Sequence, residues 1–197
     1  MKLNLGFLAS HRGSNVEAIL DNIKLGTLDA IAKVIISNNQ HASVLTLGKN
    51  RNIPVYCFNA TNTKCPDEKI LETLTKHEVN LIILAGYMKL LGCEIINAYP
   101  NKILNIHPSL LPKHGGKGMY GLQVHKAVIN SEDVESGATI HLVTENYDRG
   151  RILAQYKIPR YKTDTPETLA GRVLKVEHIL YSQTLMDIQR GVINLDL

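Results

Sequence analysis

The stretch Asn105-Ile106-His107-Pro108 combines residue types that acyl-transfer chemistry uses. The apolar residues before it predict a strand over 103–107. Asn105 and His107 would then point to the same side, because side chains alternate along a strand. An amide and an imidazole placed together can stabilise an oxyanion and move a proton. The residue types alone leave a second interpretation open, in which both side chains are structural groups at a strand end.

Asp148 is a candidate partner of His107, although it lies far along the chain in Tyr147-Asp148-Arg149-Gly150. A carboxylate beside the imidazole would raise the pKa of His107 and hold the orientation of its ring. An aspartate close to a glycine is also a common turn residue. Both interpretations stay open at this point.

A second constellation, Gly13-Ser14-Asn15, stands where the first predicted helix begins. The N-terminus of a helix presents unpaired N–H groups and a partial positive charge, which together favour a phosphate. Gly13 would let the backbone approach the anion closely, and Arg12 could add charge. Serine and asparagine are also common helix caps, so a structural role remains an alternative.

The segment HGGKGMYG, residues 114–121, contains G-x-G-x-x-G, the pattern of a dinucleotide-binding turn. That turn works where it directly follows a strand and opens a helix, with an acidic residue about 20 positions later. Here a loop with Pro108 and Pro112 precedes the glycines, and the acidic position falls on Glu135 in another loop. Lys117 is followed by glycine, which excludes the P-loop pattern. We interpret the segment as a mobile glycine-rich loop.

Five short apolar runs alternate with helical patterns and must position these groups. The predicted strands cover residues 3–9, 32–37, 55–58, 81–86 and 103–107. Strands that are apolar throughout and separated by helices predict a parallel sheet covered on both faces. Right-handed crossovers make such a sheet doubly wound and Rossmann-like, and it binds ligands at the carboxyl ends of its strands.

After residue 107 the pattern changes. We expect a helix over 122–130 and an antiparallel pair of strands over 138–144 and 152–159. A long helix should run from Pro166 to about Gln189, because Thr165 can cap it and proline suits the first helical position. The predicted fold class is therefore α/β: a doubly wound, mostly parallel sheet with an antiparallel C-terminal strand pair and a long C-terminal helix.

Composition limits the class of protein. The chain has 197 residues, 44% of them hydrophobic and 20% charged, which suits one compact domain. The net charge of +4 is small and not clustered. It favours an anionic small molecule as partner over nucleic acid, whose binding surfaces concentrate basic residues.

The cysteines and the apolar runs indicate the compartment. The three cysteines are scattered and odd in number, which is typical of a reducing environment. No apolar run approaches the roughly 20 residues that span a membrane, and no HExxH motif is present. We expect a soluble cytoplasmic protein with no membrane partner and no metal.

The motifs LAGYMKLL (84–91) and ILNIHPSLLPK (103–113) are those of a known family. The chain resembles the folate-dependent formyltransferases from Leu5 to about Glu177. With Gly13-Ser14-Asn15 after the first strand, it is similar to the branch that formylates 5-phosphoribosylglycinamide (GAR). The resemblance implies a single formyltransferase domain over 1–197. Its residues 1–100 would be the phosphoribosyl-substrate half, and residues 101–197 the catalytic and folate-binding half.

The resemblance also implies the reaction and the roles of the residues. A formyl group would pass from the co-substrate 10-formyltetrahydrofolate to the GAR amine in purine biosynthesis, without a metal. The implied catalytic set is Asn105, His107 and Asp148, with Asp148 keeping His107 cationic near neutral pH. GAR would be bound by Gly13, Ser14, Asn15 and Glu177. Folate would be bound by Met88, Lys89, Leu90, Leu91, Asn105, Thr144, Glu145, Asn146, Tyr147 and Asp148.

Some positions depart from common family forms. Lys89 stands where an arginine is frequent, Asp67 stands near a position that carries a basic residue in some members, and the loop 114–121 is longer and glycine-rich. We expect this loop to close over the phosphoribosyl end of GAR, with Lys117 near the phosphate. The sequence does not determine the isomer of the Leu111–Pro112 bond, and it leaves monomer and homodimer open.

Two related enzymes and one non-catalytic binding protein remain as alternatives. Methionyl-tRNA formyltransferase shares the catalytic motif but carries a C-terminal tRNA domain, which we do not expect here. Formyltetrahydrofolate deformylase usually has an N-terminal regulatory domain, whereas the first predicted strand begins almost at Met1. A catalytically silent binding module would not require Asn105, His107 and Asp148 together.

Overall fold

The computed structural model describes residues 2–196, and over that range seven strands form one sheet in the order β3-β2-β1-β4-β5-β6-β7. The first five strands are parallel, and β6 and β7 are antiparallel to their neighbours. The strands are β1 (Leu3–Leu8), β2 (Ala30–Ser37), β3 (Val55–Cys57), β4 (Leu81–Leu84), β5 (Ile103–His107), β6 (Glu135–Leu142) and β7 (Ile152–Pro159). The predicted α/β fold with a C-terminal antiparallel pair is confirmed.

Six helices cover both faces of the sheet within the same range. They are α1 (Ser14–Lys24), α2 (Ser43–Asn50), α3 (Pro66–Lys76), α4 (Cys93–Ala98), α5 (Leu122–Asn130) and α6 (Pro166–Gln189). One buried cluster joins α1, α2, α5 and α6 to the sheet through residues such as Ile19 and Leu185. The other joins α3 and α4 through Ile70 and Ile95. Strand β4 is apolar throughout, and β1 and β5 are mostly apolar, because both of their faces are covered.

The sheet changes winding direction at β1. The chain moves outward from β1 through β2 to β3, and then returns to β4 on the other side of β1. The loops after β1 and β4 therefore leave on opposite faces and open a crevice between them, as in other doubly wound sheets. The Gly13-Ser14-Asn15 segment follows β1, and Met88 and Lys89 follow β4.

Helix α6 is anchored at its start and near its middle. The Thr165 side chain accepts from Thr168 N–H at 3.2 Å, and Thr168 Oγ1 accepts from Thr165 N–H at 2.9 Å, which forms a capping box. Further along, the buried Tyr181 hydroxyl lies 3.0 Å from the carbonyl oxygens of both Leu84 and Leu104. Tyr181 thus holds α6 against β4 and β5.

The predicted boundaries differ from the structure at a few places. Helix α4 was not predicted, because six residues are too short to display helical periodicity. Strand β6 begins at Glu135 and ends at Leu142, whereas the prediction covered 138–144. Helix α1 starts at Ser14, one residue earlier than predicted, with Gly13 rather than a polar side chain at the cap. Helices α5 and α6 and strand β5 have the predicted bounds.

Candidate functional site

The crevice at the switch point holds a cavity of about 940 Å³. Its walls come from five chain segments and one helical residue: 11–15, 85–89, 105–108, 116–121, 147–148 and Glu177. The segments follow β1, β4 and β5 or lie in the later loops, so residues far apart in the sequence meet at one edge of the sheet. The cavity therefore contains both predicted constellations.

One end of the cavity is the N-terminus of α1. Gly13 caps this helix with φ 74°, and no side chain of the described residues caps it. The first N–H groups of any α-helix have no helical partner, and here no capping side chain of the described residues accepts from them. A Cβ at position 13 would lie 2.3 Å from Val44 Cγ2, so a side chain would fit neither the space nor the left-handed backbone. This geometry suits an anion such as a phosphate.

Beside this helix end lies a buried pair formed by Asn15 and Glu177. Asn15 Nδ2 donates to Glu177 Oε2 at 2.7 Å. Burial raises the pKa of the Glu177 carboxyl to about 7, even though the hydrogen bond from Asn15 lowers it. Asn15 Oδ1 is buried and has no partner within residues 2–196. The oxygen atoms of the pair can therefore accept hydrogen bonds from hydroxyl groups of a ligand.

Asn105, His107 and Asp148 line the same cavity. His107 is only 4% exposed, and its Nδ1 lies 3.5 Å from Asp148 Oδ2. His107 Nε2 lies 2.8 Å from the carbonyl oxygen of His114, and because a carbonyl only accepts, Nε2 carries the proton. Asp148 adopts a left-handed backbone conformation with φ 53° and accepts from Gly116 N–H at 2.8 Å.

His141 is a member of this cluster that sequence reasoning missed. It lies opposite Asn105 in the β5–β6 ladder, and its Nε2 lies 3.0 Å from Asn105 Nδ2 and 3.5 Å from Asp148 Oδ1. Its Nδ1 contacts the Leu142 carbonyl at 2.8 Å, so Nδ1 is a donor and Nε2 of the neutral ring accepts from Asn105. A histidine inside the mostly apolar run ATIHLV was the available signal.

The ionisation of the cluster differs from the expectation. Burial lowers the pKa of His107, and this effect outweighs the opposing influence of Asp148 and of the His114 carbonyl. The prediction that Asp148 keeps His107 cationic near neutral pH is therefore wrong for this geometry. Burial alone would raise the pKa of Asp148, but hydrogen bonding, including the one that Gly116 N–H donates to its carboxylate, holds that pKa below the usual range. The cluster thus combines a neutral imidazole with a carboxylate.

Comparison with known proteins identifies the family of the chain. The model of the formyl transferase family matches residues 3–185 of the chain. The chain belongs to the formyl transferase family. The predicted family resemblance is therefore confirmed.

Individual relatives are similar to this chain over most of its length. It is 44% identical over 188 residues to the chloroplastic phosphoribosylglycinamide formyltransferase of Vigna unguiculata, which covers 92% of the chain and 59% of the relative. It thus spans about three fifths of the length of that plant relative. It is 38% identical to phosphoribosylglycinamide formyltransferase of Bacillus subtilis, with 90% of each protein covered. The solved glycinamide ribonucleotide transformylase 1 of Symbiobacterium toebii superposes with a TM-score of 0.89 at 32% identity, covering 96% of the chain and 89% of that structure.

The residues predicted to contact folate are only partly brought together. Met88, Lys89, Tyr147 and Asp148 line the cavity. Leu91 is buried in the core cluster under α3 and α4, and Leu90 lies on a neighbouring cavity of about 820 Å³. The residues Thr144, Glu145 and Asn146 are exposed and lie outside the cavity walls. The turn that contains them directs Tyr147 and Asp148 inward instead.

Other predicted features take defined positions. Asp67 Oδ2 accepts from Gly92 N–H at 2.9 Å, so this carboxylate holds the loop after β4. The Leu111–Pro112 bond is cis. Across residues 2–196, no three side chains of His, Cys, Asp or Glu converge as a metal ion would require. Over the same range, no helix is both long and apolar enough to cross a membrane.

Proposed function

We propose that this chain transfers the formyl group of 10-formyltetrahydrofolate to the amine of GAR, giving formyl-GAR and tetrahydrofolate. The observation that carries the proposal is one cavity lined both by the uncapped N-terminus of α1 and by the Asn105–His107–Asp148 cluster. Such a cavity suits a phosphorylated amine whose reactive end must reach an acyl group. Membership of the formyl transferase family supports the same reaction.

GAR would extend along the cavity from α1 to the cluster. Its phosphate would meet the N–H groups at Gly13, Ser14 and Asn15, and its ribose hydroxyls would meet Glu177. Lys117 lines the cavity with the glycine-rich loop, and we propose that this loop closes over the phosphoribosyl end. Folate would enter along Met88, Lys89 and Tyr147, where Met88 and Tyr147 are 42% and 47% exposed and offer apolar surface.

We treat residues 1–197 as one domain, because β4 and β5 pair across the boundary at residue 100 and both halves contribute to the cavity. The proposed assignment also crosses that boundary, since Glu177 serves GAR and Met88 serves folate. One chain supplies every wall of the cavity, so the reaction can take place in a monomer as well as in a homodimer. The free thiols of Cys57, Cys65 and Cys93 suit a reducing compartment such as the cytoplasm.

The chemistry follows from the protonation of the cluster. The GAR amine attacks the formyl carbon, a C–N bond forms, and negative charge develops on the formyl oxygen. Asn105 directs one amide hydrogen to His141 and has a second one for this oxygen. Such preorganised donors stabilise developing charge most where water is excluded.

His107 would move the proton. It starts neutral with its proton on Nε2, so Nδ1 can accept the proton that the attacking amine releases. The oxyanion and the Asp148 carboxylate raise the pKa of His107 as the charge develops, because opposite charges favour the imidazolium. His107 then returns a proton to the folate N10 atom as the N10–formyl bond breaks. The protons balance, and no metal is required.

Formyl transfer to GAR is tested with purified protein, GAR and 10-formyltetrahydrofolate, beside His107→Ala. We expect the parent to form formyl-GAR and the variant to lose about 10²–10⁴-fold in kcat, as the loss of a general acid–base group does. His41→Ala, at an exposed histidine outside the cavity, is the matched control and should retain the parent rate. Hydrolysis of 10-formyltetrahydrofolate that proceeds equally without GAR would indicate a deformylase instead. Folate binding without any turnover would indicate a silent binding module.

A further inference from the structure

Two backbone groups of the loop after β5 contact the catalytic cluster directly. The carbonyl oxygen of His114 accepts from His107 Nε2 at 2.8 Å, and the N–H of Gly116 donates to Asp148 Oδ2 at 2.8 Å. The segment 114–116 therefore determines the ring orientation of His107 and the position of the Asp148 carboxylate at the same time. A displacement of this segment would separate both groups from their partners.

The side chain of His114 ties this segment to Asp133, in the turn between α5 and β6. His114 Nε2 lies 2.8 Å from Asp133 Oδ2, and Lys113 Nζ pairs with Asp133 Oδ1. Asp133 is fixed in turn, because its carbonyl accepts from Arg160 Nε at 2.6 Å and its N–H donates to Ser131 Oγ at 3.2 Å. Hydrogen bonds from Lys113 and His114 lower the pKa of Asp133 to about 2, so the carboxylate stays charged at neutral pH.

The anchored segment differs from the remainder of the loop. A Cβ at Gly115 would lie 2.4 Å from Leu111 Cδ2 and 3.2 Å from Asp148 Cβ, so this residue is packed tightly between them. At Gly116, Gly118 and Gly121, a Cβ would meet no described atom within 4 Å. His114 itself has φ 53°, a conformation that non-glycine residues adopt rarely and that needs support from its surroundings. The contact with Asp133 supplies that support.

We propose that Asp133 is a positioning residue, which acts through the His114 side chain to place the backbone groups that orient His107 and Asp148. The proposal rests on the catalytic roles assigned under the proposed function. Asp133 touches neither the cavity nor the reacting atoms, so its loss should lower kcat and leave the binding of both substrates nearly unchanged.

The test compares Asp133→Asn with Glu135→Gln, an exposed acid two residues away that pairs only with Lys157 among the described residues. We expect Asp133→Asn to lower kcat about 10–100-fold, as small displacements of reacting groups do, with both KM values within about threefold. Glu135→Gln should keep the parent kcat. Unchanged kcat in Asp133→Asn beside an active parent would overturn the proposal.

A second pair of variants tests the contact at its other end and does not require the Asp133 variant to fold. His114→Gln keeps a donor near the position of Nε2 and should keep kcat within about threefold of the parent. His114→Phe keeps a ring without a donor and should lose kcat about 10–100-fold. Equal kcat in these two variants would contradict the positioning role.

Hydrogen exchange of the Gly116 amide gives a readout that needs no substrate. We expect the protection factor of this amide to fall at least about tenfold in Asp133→Asn and in His114→Phe. Glu135→Gln and His114→Gln should keep the protection factor of the parent. Protection that survives in Asp133→Asn would overturn the proposal whether or not the parent is active. A parent that forms no formyl-GAR would instead overturn the proposed function, and the two failures are therefore distinct.

Discussion

Glu177→Gln should make the protein more stable above neutral pH while weakening GAR binding. The carboxyl of Glu177 is 9% exposed, and burial raises its pKa from 4.5 to about 7. A pKa shift of one unit corresponds to about 1.4 kcal/mol, so ionising this carboxyl in the folded protein costs about 3 kcal/mol more than in the unfolded chain. Glutamine removes that cost and can donate to the unpartnered Asn15 Oδ1.

The pH dependence has a definite sign. Because the folded-state pKa lies above the unfolded value, the folded protein binds this proton more tightly than the unfolded chain. The stability contributed by Glu177 is complete below about pH 4.5 and is lost as the pH rises to about 7. The variant should therefore match the parent near pH 4.5 and exceed it by about 3 kcal/mol at pH 8, which is roughly 6–12 °C in Tm for a chain of this size.

Urea unfolding of parent and variant at pH 4.5 and pH 8 measures this difference. Glu72→Gln is the control, because Glu72 is exposed and pairs with Lys69 on the surface of α3, where such pairs contribute little. GAR binding should weaken about tenfold in Glu177→Gln, since the ribose hydroxyls lose a charged acceptor. Equal stability increments at the two pH values would refute the reasoning that burial of an ionisable carboxyl, rather than packing, destabilises the site.

Two further variants test the phosphate end of the cavity. Gly13→Ala should raise the KM for GAR at least about tenfold and lower the free energy of unfolding by about 1–3 kcal/mol, because the new methyl group meets Val44 in a left-handed backbone. Steady-state kinetics measure the KM, and urea unfolding measures the stability. A parent-like KM would contradict the assignment of α1 as the phosphate site. Lys117→Ala should raise the KM for GAR about 3–10-fold with kcat unchanged, since it removes binding that ground and transition states share. That effect should shrink in high salt, and an unchanged affinity for GAR would exclude Lys117 from phosphate binding.

Much of the fold was predictable because local patterns and tertiary packing agree. Strand β5 is apolar except for Asn105 and His107, and α6 begins at a threonine followed by a proline, so their bounds follow from short-range preferences. The six-residue helix α4 displays too little periodicity for such a prediction. The first residues of β6 were missed because Gly137 interrupts the strand pattern there.

The candidate site shows the same division. Asn105 and His107 share one side of β5 because of strand geometry alone. The approach of Asp148 to His107 was one of two interpretations of the sequence, and only the family resemblance favoured it. The position of His141 was not predicted, since it depends on the register of the antiparallel β5–β6 ladder. The contribution of the His114 carbonyl was not predictable either, because backbone groups have no sequence signature.

By itself, the sequence determined the alternation of strands and helices, the family, and the residue types available at the carboxyl ends of the strands. The tertiary structure alone decided the protonation of the cluster. Burial of His107 is a property of the assembled crevice, and desolvation in that crevice outweighs the one carboxylate that the sequence suggested as its partner. The same burial determines the elevated pKa of Glu177, because electrostatic energies depend on the distance and solvent exposure of groups that lie far apart along the chain.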